Sequence, residues 1–242
     1  MTGTGATTGT DGFAGACAAD AAPVVVIAID GPTASGKGTI AQRVATALGF
    51  HYLDSGALYR VTALAALQAG VALDDEGGVA AVAAALPVAF PDGRIELAGQ
   101  DVGDAIRTEQ ISQGASIVAA HPAVRAALLA RQRAFRKPPG LVCDGRDMGS
   151  VVFPSARWKV YLDAAPEERA RRRCQDFARQ GRQVSEADVL AEILQRDRLD
   201  STRAAAPLVR SAGALYLDST GLPSETVLGR LLAFVRGEAD GA

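Results

Sequence analysis

Nine consecutive residues, Gly31-Pro32-Thr33-Ala34-Ser35-Gly36-Lys37-Gly38-Thr39, combine glycines, hydroxyls and one lysine in a pattern able to hold a phosphate. Glycines let the backbone curl until successive N–H groups converge on one anion, and a helix starting at such a loop adds its positive end. In that geometry Lys37 would reach the β- and γ-phosphates of a nucleotide, and Thr39 would ligate Mg²⁺. The spacing departs from GxxxxGK[ST] at one point: Gly38 stands at the usual hydroxyl position, and the threonine comes one residue later.

Other groups could meet a second anion. In His51-Tyr52-Leu53-Asp54-Ser55-Gly56-Ala57-Leu58-Tyr59-Arg60 an acid, a hydroxyl and an arginine surround a turn into a helix. Taken alone, Arg60 reads as a solvated residue. Asp144-Gly145-Arg146-Asp147 changes the balance, because two acids around an arginine at the end of a buried strand are costly unless they serve a ligand. Arg196, Asp200 and Arg203 fall at i, i+4 and i+7 on one helical stripe, where an intrahelical ion-pair ladder is the competing explanation. Arg169, Arg172 and Arg173 share one face of a helix whose other stripe is Ala170, Cys174 and Phe177, and their mutual repulsion would be relieved by a bound polyanion. The histidines, His51 and His121, stand in no catalytic-looking cluster.

These residues need a scaffold. Val24–Ile29 is a short, continuous, β-branched run suited to a strand buried on both faces, and it leads through the glycine-rich turn into a helical pattern over Lys37–Leu48. His51–Leu53, Leu141–Cys143, Lys159–Leu162 and Leu215–Leu217 are further strand candidates, most followed by an acid. Strands alternating with helices predict an α/β fold with a parallel sheet, whose ligands sit beyond the carboxyl ends of the strands. Ala57–Pro139 is too long for a connection. Its helical start (Ala57–Gln68), a hairpin in Pro87–Leu97 turning at Asp92-Gly93, and a helix opened by Pro122 predict an inserted subdomain. A second excursion opens at Pro166-Glu167-Glu168, breaks at Gly181 and resumes at Ser185, which with Asp188 resembles a capping box.

Composition narrows the function. The 242 residues are 48% hydrophobic but only 5% aromatic, as expected for an aliphatic sheet packed by helices. A formal net charge of −2 gives no general attraction to nucleic acid or to a membrane surface, so any polyanion must be met locally. Lys37, Lys137 and Lys159 are the only lysines; the remaining cations are arginines, whose guanidinium forks grip phosphate oxygens in pairs. Cys17, Cys143 and Cys174 form no zinc or disulfide pattern. Residues 1–22 lack the basic start and apolar run of a signal peptide and read as a flexible tail, and the expected compartment is the cytoplasm.

The stretches IAIDGPTASGKGT, LDSGALYR, IRTEQIS, CDGRDMGSVVFP, EERARRR and RDRLDSTR together resemble the bacterial cytidylate kinases, from Val24 to about Phe234. The resemblance implies a P-loop NTPase fold with a five-stranded parallel sheet. Within a kinase domain over 23–239, the core would be 23–56, 140–165 and 206–239, the acceptor-binding insert 57–139 and the helical lid 166–205. It implies that Gly31–Thr39 holds ATP with Mg²⁺, and that Ser55, Arg60, Arg107, Ser116, Arg125, Arg146, Asp147, Arg196, Asp200 and Arg203 surround CMP or dCMP. By the same resemblance Arg60 and Arg146 meet the acceptor phosphate, Ser116, Arg125 and Asp147 read the cytosine edge, and Arg196 and Asp200 contact the sugar. Lys37, Arg169, Arg172 and Arg173 would act on the transferred phosphoryl group, in a monomer. An adenylate, uridylate or shikimate kinase on the same scaffold, or a non-catalytic nucleotide switch, stays open on the phosphate loop alone.

Overall fold

The computed structural model describes residues 24–179 and 181–237; the expected tail at 1–22, Cys17 and the last two residues of the expected kinase domain lie outside them. Strand β1 (Val25–Asp30) leads into α1 (Lys37–Leu48), and β2 (His51–Asp54) into α2 (Ser55–Gln68). Next come α3 (Glu76–Ala84), the short strands β3 (Val88–Ala89), β4 (Glu96–Leu97) and β5 (Gln100–Asp101), then α4 (Glu109–Val118) and α5 (Pro122–Ala134). The chain returns through β6 (Gly140–Gly145) and β7 (Trp158–Asp163), leaves again in α6 (Pro166–Arg179) and α7 (Glu186–Thr202), and closes with β8 (Leu215–Asp218) and α8 (Ser224–Arg236).

The five long-range strands form one parallel sheet in the order β2-β6-β1-β7-β8, as the sequence predicts. β1 is central, with Ile27 opposite Val142 on one side and Trp158 on the other. Its side chains alternate between two cores. Val26 and Ala28 join α2 and the insert, whereas Ile27 and Ile29 pack with Ile40 and Val44 of α1 and Val227 and Leu231 of α8. Both isoleucines are wholly buried, each contributing about 1.5–3 kcal/mol of apolar transfer. Because the sheet is parallel and covered on both faces, the carboxyl ends of β1, β2 and β6 open at one edge, beside the glycine-rich loop.

The excursion over 57–139 carries more structure than its periodicity announces. The hairpin at Pro91–Gly93 is present, and a second follows at Ala98-Gly99, both with positive φ (51° and 79°), giving the antiparallel sheet β3-β4-β5. Glycines at positions 77 and 78 disguise α3 as a loop. Two effects override them: Asp75 accepts the Gly78 N–H at 3.0 Å, and Val79 and Ala83 are fully buried. Further on, Gly181 (φ 73°) marks the break after α6, and Ser185 caps α7 by accepting the Asp188 N–H at 3.4 Å. Among the described residues no helix is long and apolar enough to cross a membrane.

Candidate active site

The loop between β1 and α1 is held from three directions. Asp30, ending β1, accepts the N–H groups of Met148 and Gly149 at 2.7 and 2.8 Å, tying the loop's root to the turn that carries Arg146 and Asp147. Burial pushes this carboxyl up to about 6, although the two N–H donors pull the other way. Gly31 packs against β7 so closely that a Cβ there would lie 2.1 Å from the Leu162 carbonyl oxygen. From below, Arg169 is almost fully buried: its Nε donates to Ala164 O at 2.9 Å, Nη1 to Thr33 O at 3.1 Å, and Nη2 pairs with Asp197 at 2.6 Å. Ala34 (φ 57°) and Gly36 (φ 83°) take the left-handed conformations that curl the backbone.

Lys37 is 8% exposed and donates from Nζ to Pro32 O at 2.9 Å. Desolvation, reinforced by repulsion from Arg146, lowers its pKa. Desolvation and the nearby Asp54 charge raise that of Asp144, which accepts from the Tyr52 hydroxyl at 2.7 Å. An anion entering here would restore the preference of Lys37 for its charged form.

Beside the loop lies a cleft of about 280 Å³, near the lower limit for small-molecule sites. The ends of β2 and β6, α2, α4 and α7 supply its walls. Asp54 caps α2 by accepting the Ala57 N–H at 2.9 Å, and its other oxygen holds Arg60 at 2.7 Å. Arg146 donates from Nε to Asp200 at 2.6 Å. Burial alone would raise the Asp200 pKa, but Arg146 and its neighbours Arg196 and Arg203 hold it below the usual range. Asp147 bonds to Arg125, whose guanidinium sits 5.7 Å from the centre of the Tyr59 ring. Arg196 has its pKa lowered to about 10 by burial and by Arg146, so it remains a cation at neutral pH. The charges nevertheless leave donors over: Nε of Arg60, Arg173 and Arg196 and Nη2 of Arg203 are buried without a hydrogen-bond acceptor.

A phosphate-binding loop joined to an arginine-lined cleft matches a known family. A family model described as cytidylate kinase covers residues 27–237. The chain belongs to the cytidylate kinase family. It is 54% identical over 221 residues to the cytidylate kinase of Bordetella bronchiseptica, spanning 91% of this chain and 99% of that relative. The cytidylate kinase of Bordetella pertussis is 55% identical over 216 residues (89% and 96%), and that of Chromobacterium violaceum 53% over 209 (86% and 94%).

Of the family residues expected at the acceptor, Ser55, Arg60, Ser116, Arg125, Arg146, Asp147, Arg196, Asp200 and Arg203 all line this one cleft. Arg107 does not; it is exposed and lines a neighbouring cavity with Thr39, Arg131 and Lys137. The three α6 arginines expected to act on the phosphoryl group also divide. Arg173 lines the cleft, Arg172 lines a cavity with Ser35, Gly36 and Thr39, and Arg169 lies beneath the loop. Their expected mutual repulsion is offset by one acid each: Asp197 for Arg169, Glu168 for Arg172 at 2.8 Å, and Glu109 for Arg173 at 2.5 Å. Those three acids, and Tyr59 in the cleft wall, are partners that residue spacing did not single out. Asp54 and Asp144 carried a signal, since both end buried strands at the ligand edge.

The donor set suits Mg²⁺. Asp144 offers hard oxygens beside Gly38 and is a buried carboxyl whose raised pKa a dication would reverse, and the exposed Thr39 hydroxyl offers another from the cavities next to the cleft. Among the described residues no group of three or more His, Cys, Asp or Glu side chains could cage a metal alone. Mg²⁺ characteristically takes one or two protein oxygens and completes its shell with water and substrate phosphates.

Proposed function

We propose that the protein transfers the γ-phosphoryl group of ATP to CMP or dCMP, giving ADP and CDP or dCDP. The observation that carries this reading is the surplus of donors: four arginines lining the cleft beside the phosphate loop, Arg60, Arg173, Arg196 and Arg203, each carry a buried nitrogen donor without an acceptor. An unmade hydrogen bond at a buried charged group costs about 1–3 kcal/mol, so an anion that satisfies several of them binds strongly there. Its membership of the cytidylate kinase family supports CMP as that anion.

ATP binds with its phosphates on the backbone N–H groups of the Gly31–Thr39 loop, Lys37 leaves Pro32 O for the β- and γ-phosphates, and Thr39 and Asp144 would hold Mg²⁺, which would supply charge neutralisation to the phosphates. Arg60 and Arg146 take the CMP phosphate, Asp147 and Arg125 with Ser116 read the amino edge of cytosine, and Arg196 and Asp200 hold the sugar. Asp200, kept ionised by Arg146, accepts from a ribose hydroxyl. A phosphate oxygen of CMP attacks the γ-phosphorus in line, the bond to the β-phosphate's bridging oxygen breaks, and ADP leaves with the electron pair. No general base is required, because a monophosphate with a second pKa near ~6 is already largely dianionic at neutral pH. The chain therefore contributes alignment and charge. Closure of the insert (57–139) and the lid (166–205) excludes water, the competing nucleophile. The proposed working unit is a monomer, acting in the cytoplasm.

The test is an ADP-release assay over CMP, dCMP, UMP, AMP and GMP. CMP and dCMP should be the best acceptors by kcat/KM. Equal or better turnover with AMP, or no acceptor-dependent ADP release at all, would refute the reading.

A further inference from the structure

Arg173 occupies a junction. It projects from α6, lines the acceptor cleft, and also lines the cavity bounded by Ser35, Gly36 and Thr39 on the donor side of the loop. Its Nη2 donates to Glu109 Oε2 at 2.5 Å. Glu109 is the first residue of α4, in the insert, so this contact crosses from insert to lid; among the described residues no other side-chain ion pair does so. The remaining surroundings of the guanidinium bind it weakly: Nε is buried without a partner, and the Phe177 ring lies 5.3 Å away.

The physical chemistry makes this pair exchangeable. Its side chains are 21% and 32% exposed, so solvent screens the attraction. Glu109 also sits in the first turn of α4, where the helix dipole stabilises a carboxylate after its arginine has gone. An incoming phosphate offers Arg173 more negative charge than one carboxylate does. With ATP alone, only the γ-phosphate competes with Glu109. When an acceptor monophosphate fills the adjoining cleft, the two anions together draw the guanidinium across.

Resting on the proposed phosphoryl transfer, we infer that Glu109 is a positioning residue which holds Arg173 back from the γ-phosphate until the acceptor is bound, and so limits hydrolysis of ATP. The suppressed side reaction is attack by a water oxygen on the γ-phosphorus: the bond to the β-phosphate oxygen breaks, ADP leaves with the electron pair, and the water proton passes to solvent. Glu109 lines neither the acceptor cleft nor the donor-side cavity and acts through Arg173.

The experiment is ADP release from saturating MgATP without acceptor. Glu109→Gln keeps the side chain's size and removes its charge, and should raise this rate about two- to fivefold, the range expected for a half-exposed ion pair. In an Arg173→Ala background the same substitution should raise nothing. A thermal melt checks that Glu109→Gln folds as the wild type does. An unchanged rate in a folded Glu109→Gln, or a rise that persists without Arg173, would each overturn the inference. Stimulation of wild-type ADP release by CMP is the separate check: its absence would sink the proposed reaction, whereas normal stimulation with unchanged Glu109→Gln hydrolysis would sink only the role of Glu109.

Discussion

Arg146→Lys separates charge from geometry at the acceptor phosphate. In the structure Nε of Arg146 is committed to Asp200 at 2.6 Å, so the two terminal nitrogens are what a ligand can use. Nη1 makes only a long 3.5 Å contact with the Gly145 carbonyl oxygen, leaving it free to turn. A lysine keeps the positive charge, but its single ammonium cannot both hold Asp200 and form a two-pronged contact with phosphate. One charge-assisted hydrogen bond of about 1.5–3 kcal/mol is therefore lost in the ternary complex. That converts to a fall of roughly 10- to 150-fold in kcat/KM for CMP, with KM for ATP altered by less than about twofold, since the donor loop is untouched. Steady-state ADP-release kinetics with each nucleotide varied in turn read both quantities, and a thermal melt checks that the lysine still pairs with Asp200. A variant whose kcat/KM for CMP stays within about threefold of the wild type would refute a bidentate role for Arg146.

Gly31→Ala should break the loop's seat: its Cβ would meet the Leu162 carbonyl oxygen at 2.1 Å, and relieving that clash by about 1–3 kcal/mol of strain should lower both the melting temperature and the affinity for ATP. Unchanged melting would show that β1 and β7 can part freely. Asp147→Ala removes the partner of Arg125 and should weaken CMP by about 10- to 100-fold while weakening UMP less, as kcat/KM for the two acceptors would reveal. Equal losses would remove Asp147 from base recognition. Asp30, raised from 3.8 to about 6, should titrate well above Asp200, which is lowered. Because its folded-state pKa is the higher one, its contribution to stability is full below pH ~4 and is lost as pH rises through ~6. Carboxyl NMR titration checks the order, and Asp30 titrating below Asp200 would contradict the burial argument.

The main sheet is legible because parallel strands covered on both faces need short unbroken apolar runs, and Val25–Asp30 and Gly140–Gly145 carry them at Val25–Ile29 and Leu141–Cys143. The loop was legible because its chemistry lies in nine contiguous residues. The partnerships were not. Arg169 looks like one of three crowded cations on a helix, yet it is buried beneath Thr33 and neutralised by Asp197, 28 residues further along the chain. Arg173 and Glu109 are 64 residues apart, and only the folding of the insert against the lid joins them. The separation of Arg107 from the cleft is likewise a matter of how α4 and its preceding turn pack, which residue type cannot reveal. Spacing along a helix names the face a side chain occupies, while the element that meets that face is fixed by tertiary packing.

The central claim is that both nucleotides lie end to end in one cleft, and a single compound measures it: adenosine and cytidine joined 5′ to 5′ through a polyphosphate chain. Calorimetric titration should show one site per chain and an affinity at least about 100-fold above that of ATP or CMP alone, the gain expected when two sites are linked at the right span. Binding no tighter than ATP, with CMP still able to bind beside it, would contradict the account.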